Sequence, residues 1–313
     1  MPTTAIRRAV IDVGTNSVKL LVADVHEGRV EPVEENSEQT RLGAGFYDTH
    51  RLLPAAIAET GRAVADFAVR ARDLGAVSTR VIATSAARDA INPGDLLSAI
   101  EKSSGLKTQI ISGEQEADWA FQGVTTDARL ASEALLLMDV GGGSTEFIVG
   151  QRGRKDFCQS VALGTVRLLE KLRPGDPPTV EQRSACGDWV KSFVLKEVHQ
   201  QLGPALAREN KSAQLVGTGG TATILARMEA GMDDYNREKI ESVRLTLRQV
   251  RAWTERLWSL PLAERKKIIG LPEKRADVIL TGAAIYQSTM EVFGFSELRV
   301  TTRGLRFAVV LNG

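Results

Sequence analysis

Three acidic residues stand where their surroundings could put a carboxylate to use: Glu116 in "QIISGEQEADWAFQG", and Asp139 and Glu146 in "MDVGGGSTEFIVG". Glu116 falls at helical spacing with Trp119, Ala120, Gly123 and Val124, which places it on or beside an apolar stripe. Burying a carboxylate costs free energy unless it is paired or in use, and partial burial moves such a group towards the range useful to a general base. Ser112 reads as the N-cap of that helix with Gln115 as its reciprocal partner, so Glu114 is an ordinary first-turn acid favoured by the helix dipole. Asp139 ends an apolar strand at the mouth of a glycine turn, where a hard oxygen ligand can hold Mg²⁺ directly or through water. Glu146 opens the return strand and can point into the same space; the plainer alternative is that one of the two only satisfies turn N–H groups.

The glycine turn has a copy. "IDVGTNSVKLLVA" (Ile11 to Ala23) aligns without gaps on "MDVGGGSTEFIVG" (Met138 to Gly150), matching Asp12 to Asp139, Val13 to Val140, Gly14 to Gly141 and Ser17 to Ser144. Asp12 is therefore a further candidate for the same metal ion. Two strand–turn–strand units suggest a duplicated domain whose turns face each other across a cleft. A turn free of side chains lets backbone N–H groups approach phosphate oxygens, although a lone copy is also a serviceable hairpin turn. A third turn, "VGTGGTAT" (Val216 to Thr223), lies between a strand and a helix, so the helix dipole would add to its amides; the alternative is close strand–helix packing. In "VIATSAARDAIN" a strand runs into a helix, with Thr84 and Ser85 at the N-cap and Arg88 in the first turn. A cation there opposes the dipole unless an anion compensates, so Arg88 reads as a phosphate clamp, or else as the partner of Asp89 or another carboxylate.

These residues need rigid elements behind them. "AVIDVG", "VKLLVADV", "STRVIATS" and "KTQIIS" read as strands, and "AAIAETGRAVADFAVRARDLG" as a long amphipathic helix closed by Gly75. A second round brings "LLLMDVGGG", "TEFIVGQR" and "CQSVALG", then the loop "RPGDPP" and a capping box, Thr179 with Gln182, opening a helix through Leu202. The alternation argues for α/β architecture, and the lapse of periodicity in "GVTTDARLASEA" puts a boundary between residues 123 and 134. With 313 residues and 43% hydrophobic content the chain can build two cores. Forty basic and 39 acidic side chains give a formal +1, which advertises neither nucleic acid nor membrane. A polyanion must meet a local patch: Arg7-Arg8, Arg152 with Arg154 and Lys155, Arg265 to Lys267, or Lys274-Arg275, each otherwise a solvated face. Two unpaired cysteines, no long apolar run and no signal-peptide pattern lead us to expect a reduced, cytoplasmic protein. Three scattered histidines leave zinc ligation or a Ser-His-Asp hydrolase little to work with.

"DVGTNS", "ATSAARDAIN", "ISGEQEA", "DVGGGSTE", "GTGGTAT" and "RADVILTGA", in this order and spacing, resemble the exopolyphosphatase / guanosine pentaphosphate phosphohydrolase family over essentially the whole chain. The glycine turns alone would indicate only the wider superfamily of actin-like ATPases, heat-shock chaperones and sugar or acetate kinases. The resemblance implies two ribonuclease-H-like domains, residues 1–126 and 127–302, around a cleft, with a C-terminal helix at 303–313 returning to the first. It implies a Mg²⁺-dependent enzyme, with Mn²⁺ as the alternative, that releases orthophosphate from polyphosphate ends or from pppGpp, and that forms a homodimer. By position, Glu116 looks like the family's catalytic base, with Glu146 assisting and Asp139 near the metal. Asn16, Ser17, Arg88, Gly142, Gly143, Ser144, Gly217, Thr218, Gly219, Gly220 and Thr221 fall where the family binds phosphates.

Two departures stand out. Glu241-Ser242 replaces an expected His-Gly, and "GLRFA" (Gly304 to Ala308) replaces Gly-Leu-Arg-Glu-Gly. Long members append helical domains beyond the position of Gly313, so we expect this form to prefer shorter polyphosphate. The competing readings are pppGpp hydrolysis, a small-molecule kinase, for which no acceptor-binding insertion is visible, and a sensor that binds without turnover. A pure binder has no use for Glu116, Asp139 and Glu146 facing a polyanion.

Overall fold

The computed structural model describes residues 5–208 and 213–313; residues 1–4, the start of the first expected domain, and 209–212 lie outside it. In chain order the first elements are β1 (Ile6–Val13), β2 (Val18–His26), β3 (Arg29–Glu38), α1 (Pro54–Asp73), β4 (Ser78–Ala83), α2 (Ser85–Asp89), α3 (Pro93–Ser104), β5 (Thr108–Ile110), α4 (Gly113–Val124) and α5 (Ala128–Ala131). There follow β6 (Leu135–Val140), β7 (Thr145–Gln151), β8 (Arg154–Val161), α6 (Thr165–Leu172), α7 (Val180–Phe193), α8 (Gln200–Arg208), β9 (Gln214–Thr218), α9 (Gly219–Ala230), α10 (Arg237–Ser242), β10 (Arg244–Thr246), α11 (Leu247–Ser259), α12 (Leu262–Arg265), α13 (Ile279–Phe293), β11 (Glu297–Val300) and α14 (Leu305–Leu311).

The chain forms two compact units. The first runs to Ala128 and takes in Arg303–Gly313; the second is Arg129–Thr302. Each holds one mixed sheet of the ribonuclease-H-like kind, ordered β3-β2-β1-β4-β5 in the first and β8-β7-β6-β9-β11 in the second, where β10 adds an edge. The duplication reaches the details. In both sheets the first three strands form an antiparallel meander and the next two join in parallel. Even the irregularity in the meander recurs, at Val22/Ala23 and at the aligned Val149/Gly150.

Strand alternation decides what each face meets. In the first unit Ala9, Ile11 and Val13 enter a core with α1 and α3, while Val10, Leu21 and Ile82 enter another with Trp119 of α4 and Leu305, Phe307 and Val309 of α14. A Cβ on Gly123 would overlap the carbonyl of Gly304, so that glycine allows α4 and α14 to touch. Phe307 and Ala308, the late departure from the family pattern, are core residues here. Glu241, the other departure, is buried and accepts hydrogen bonds from Arg129 Nη2 (2.6 Å) and from Thr302 N (3.2 Å) and Oγ1 (2.6 Å). It thus ties together the two ends of the second unit.

Local signals read from the sequence have their counterparts. Gly75 takes φ +81° after α1, and Thr179 and Gln182 form both halves of a capping box. At Ser112 the side chain accepts from Gln115 N at 3.1 Å. The helix expected to end at Leu202 continues through a π-helical stretch (Val194–His199) to Arg208. The strand β3 was not expected: "RVEPVEENSE" is charged because it is an edge strand with most of its side chains in solvent.

Candidate active site

In the first unit β1 runs into a turn closed by Gly14 N donating to Ser17 O at 3.0 Å. The carbonyl of Thr15 accepts from Gly43 N (2.7 Å), and that of Asn16 from Arg41 N (3.1 Å). A trans peptide points its C=O and its N–H in opposite directions. Tying down those carbonyls therefore turns the N–H groups of Asn16 and Ser17 away from the 41–43 loop. Nearby, Thr84 N donates to Val13 O (3.2 Å), bringing the ends of β1 and β4 side by side. Asp12 Oδ1, Asn16 Nδ2 and Ser85 Oγ, all at or next to these strand ends, are buried without a hydrogen-bond partner among the described residues. Buried polar atoms are normally satisfied, so a group of such exceptions points to a ligand. Burial pushes the Asp12 carboxyl above its ordinary range, against the opposing pull of Lys19 and Arg306.

Glu116, on the inner side of α4, is only 8% exposed, and its Oε2 accepts from Arg88 Nη1 at 3.0 Å. The same Nη1 donates to Ile111 O at 3.0 Å, while Arg88 Nε lies 3.9 Å from Asp89. Pairing offsets the cost of burying the carboxylate. Contrary to the expectation from the sequence, Arg88 does not oppose the helix dipole: α2 is only five residues long, so Arg88 falls in its last turn, where a cation is favoured. Its role as a clamp must rest on its guanidinium, whose Nη2 donates no hydrogen bond among the described residues.

The second unit repeats the turn with different backing. Gly141 N donates to Ser144 O at 3.0 Å, as in the first copy. The carbonyl of Gly141 accepts from Thr165 N (2.9 Å), that of Gly142 from Val166 N (2.9 Å) and Arg167 N (3.1 Å), and that of Gly143 from Arg167 Nε (2.7 Å). The start of α6 therefore holds three successive carbonyls on one side. By peptide planarity, the N–H groups of Gly142, Gly143 and Ser144 point to the other. This requires close approach, because a Cβ on Gly164 would overlap the backbone of Gly142 and Gly143. Gly164, Arg167 and Gly43 escaped the sequence reading; a glycine just before a helical pattern was the only signal, and a generic one.

Asp139 and Glu146 are direct cross-strand partners on β6 and β7, so their side chains share a face. Glu146 is buried and accepts from Ser160 Oγ at 2.7 Å. Two opposed carboxylates repel unless a cation offsets them, and one or two carboxylates completed by waters and phosphate oxygens are a donor set that suits Mg²⁺. Among the described residues no three His, Cys, Asp or Glu side chains gather into a fuller cage.

The third turn divides by residue. Gly219 has φ +78°, and a Cβ there would overlap Asp139 Oδ1, so the Asp139 carboxylate sits at the start of α9. A Cβ on Gly217 would instead come within 2.8 Å of Tyr286 Oη, and Thr221 spends its hydroxyl on Val140 O (2.9 Å). Those two positions serve strand–helix packing. Thr218 supplies the N-cap residue of α9 without a side-chain cap. A Cβ on Gly220 would meet Arg275 Nη2 at 3.3 Å. Arg275, half of the Lys274-Arg275 patch, is therefore buried against α9 and is no solvated face.

Comparison with known proteins agrees over the whole chain. The profile of the Ppx/GppA phosphatase family matches residues 21–312. Exopolyphosphatase 2 of Mycobacterium tuberculosis is 31% identical over 323 residues, covering 98% of each chain. The crystal structure of an exopolyphosphatase from Cytophaga hutchinsonii superposes with a TM-score of 0.86 at 27% identity, covering 97% of this chain and 96% of that one. The Aquifex aeolicus Ppx/GppA family member gives 0.79 at 28% identity, covering 99% and 97%. Duplicated sheets, paired glycine turns and full-length similarity lead to one conclusion: the chain belongs to the Ppx/GppA phosphatase family.

Proposed function

We propose that the protein is an exopolyphosphatase, releasing orthophosphate from the ends of inorganic polyphosphate by in-line attack of water. The observation that carries this reading is the buried Glu116–Arg88 pair, which couples a proton acceptor to a guanidinium whose Nη2 donates no hydrogen bond among the described residues. Glu116 takes a proton from the attacking water, whose oxygen bonds to the terminal phosphorus as the bridging P–O bond breaks. Arg88 binds an equatorial phosphoryl oxygen, and the N–H groups of Asn16 and Ser17 hold phosphate on the first unit. On the second unit the N–H groups of Gly142, Gly143 and Ser144 do the same. Asp139 and Glu146 are the residues that would hold Mg²⁺, or Mn²⁺ in its place; bound there, the ion would offset charge on the phosphate oxygens. Two free cysteines, and the absence among the described residues of any helix long and apolar enough to cross a membrane, support a cytoplasmic setting. We expect a homodimer, which sedimentation would test.

The deciding experiment measures phosphate release from tripolyphosphate, long polyphosphate and pppGpp, with and without Mg²⁺. Metal-dependent release from polyphosphate is expected. Release from pppGpp alone would replace polyphosphate with the alarmone as substrate, and ATP-dependent transfer to an acceptor would make the protein a kinase. Glu116→Gln should lower release by roughly 10²–10⁴-fold, the ordinary contribution of a general base, while retaining tripolyphosphate binding. Near-wild-type turnover in that variant would remove Glu116 from the role.

A further inference from the structure

Across β6, β7 and β8 the register sets Asp139 opposite Glu146 and Glu146 opposite Ser160, so the three side chains form a polar row on one face of the sheet. The next row on that face is apolar, with Leu137 opposite Ile148 and Ile148 opposite Cys158. Glu146 is only 1% exposed, and the Ser160 hydroxyl donates to its Oε1 at 2.7 Å, the length of a charge-assisted bond. Backbone holds that donor in place. Ser160 is a ladder partner of Glu146, and on the neighbouring residue Thr145 Oγ1 donates to Leu163 O, which ties the chain after β8 to the start of β7. A hydroxyl fixed in this way fixes the carboxylate that receives it.

We infer that Ser160 is a positioning residue for the divalent ion: its hydrogen bond holds the Glu146 carboxylate in one orientation beside Asp139, so that the pair is preorganised to receive the metal. Partners that hydrogen-bond a ligating carboxylate set its orientation and so tune affinity without touching the ion. Without the hydroxyl Glu146 keeps its charge but loses its fixed orientation, and the ion must order the side chain as it binds. The inference rests on the proposed placement of Mg²⁺ at Asp139 and Glu146.

The test compares wild type, Ser160→Ala, Ser160→Thr and Glu146→Gln. Mn²⁺ binding is read without substrate by electron paramagnetic resonance of the free ion, thermal unfolding is followed in EDTA, and tripolyphosphate hydrolysis is measured across a Mg²⁺ series. Loss of the hydroxyl should weaken Mn²⁺ binding and raise the half-saturating Mg²⁺ concentration by about 10–100-fold, with most of kcat recovered at saturating Mg²⁺. Ser160→Thr, which keeps a hydroxyl, should restore both. Ser160 is half-buried on an edge strand, so the melt of Ser160→Ala in EDTA should stay close to wild type. Unchanged Mn²⁺ binding in Ser160→Ala would overturn the inference, as would a weakening that Ser160→Thr does not reverse or that comes with a lowered melt in EDTA. If wild type binds no Mn²⁺, or Glu146→Gln binds it as wild type does, the proposed metal site itself fails and the role of Ser160 falls with it.

Discussion

Asp12 combines burial, an oxygen without a hydrogen-bond partner among the described residues and a neighbouring ammonium, and burial and the ammonium have opposite effects on its charge. Burial is the largest and raises its pKa in the folded protein, with Lys19 and Arg306 acting the other way. The unfolded value is about 3.9. A raised carboxyl gives the folded state an advantage that is fully present below the unfolded pKa and lost as pH rises through the higher folded one. Ionised Asp12 is thus a burden on stability at neutral pH. Asp12→Asn is expected to raise the thermal midpoint at pH 7 and to leave it nearly unchanged near pH 3. Thermal unfolding followed by circular dichroism across that range checks it; an equal shift at both ends would show that the carboxyl's ionisation is not the cause.

At the scale of elements, the glycine turns work because something behind them holds their carbonyls. In the second unit that support is the first turn of α6, and Gly164 is where the two backbones come close enough. Gly164→Ala would drive a Cβ into backbone, which cannot rotate out of the way as a flexible side chain can. We expect it to cost about 1–3 kcal/mol of stability, as overpacking does, and to lower phosphate release by at least about tenfold through displacement of the Gly142 and Gly143 amides. Urea titration and the phosphate-release assay read the two effects separately. Full activity would mean that those amides are not aligned by α6.

At the scale of the molecule, the two units differ in how the chain builds them. Arg129–Thr302 is continuous and has its own core, from Leu136 and Phe147 to Trp258 and Tyr286. The first unit is completed only by α14, whose Leu305, Phe307, Val309 and Val310 cover Val10, Leu21, Ile82 and Trp119. A fragment of residues 129–302 should therefore unfold cooperatively on its own. Residues 1–128 without 303–313 should lack a cooperative transition and bind a hydrophobic dye, as exposed apolar surface does. Adding residues 303–313 as a peptide should restore cooperativity; a cooperative melt of 1–128 alone would refute this division.

Periodicity and turn chemistry are local, which is why the paired strand–turn–strand units, the helix carrying Glu116 on its buried stripe and the caps at Ser112 and Thr179 were legible in the amino-acid order. The alignment of Asp12 with Asp139 likewise needed no coordinates. Tertiary structure decided what those residues face. Arg88 meets Glu116 from 28 positions away, Arg167 holds Gly143 from 24, and Arg275 was a surface patch until the fold laid it against α9. The charged strand β3 becomes recognisable only once β2 offers it an edge. Such partners are chosen by which elements pack together over long sequence separations, and neither a hydrophobic period nor a turn motif carries that information.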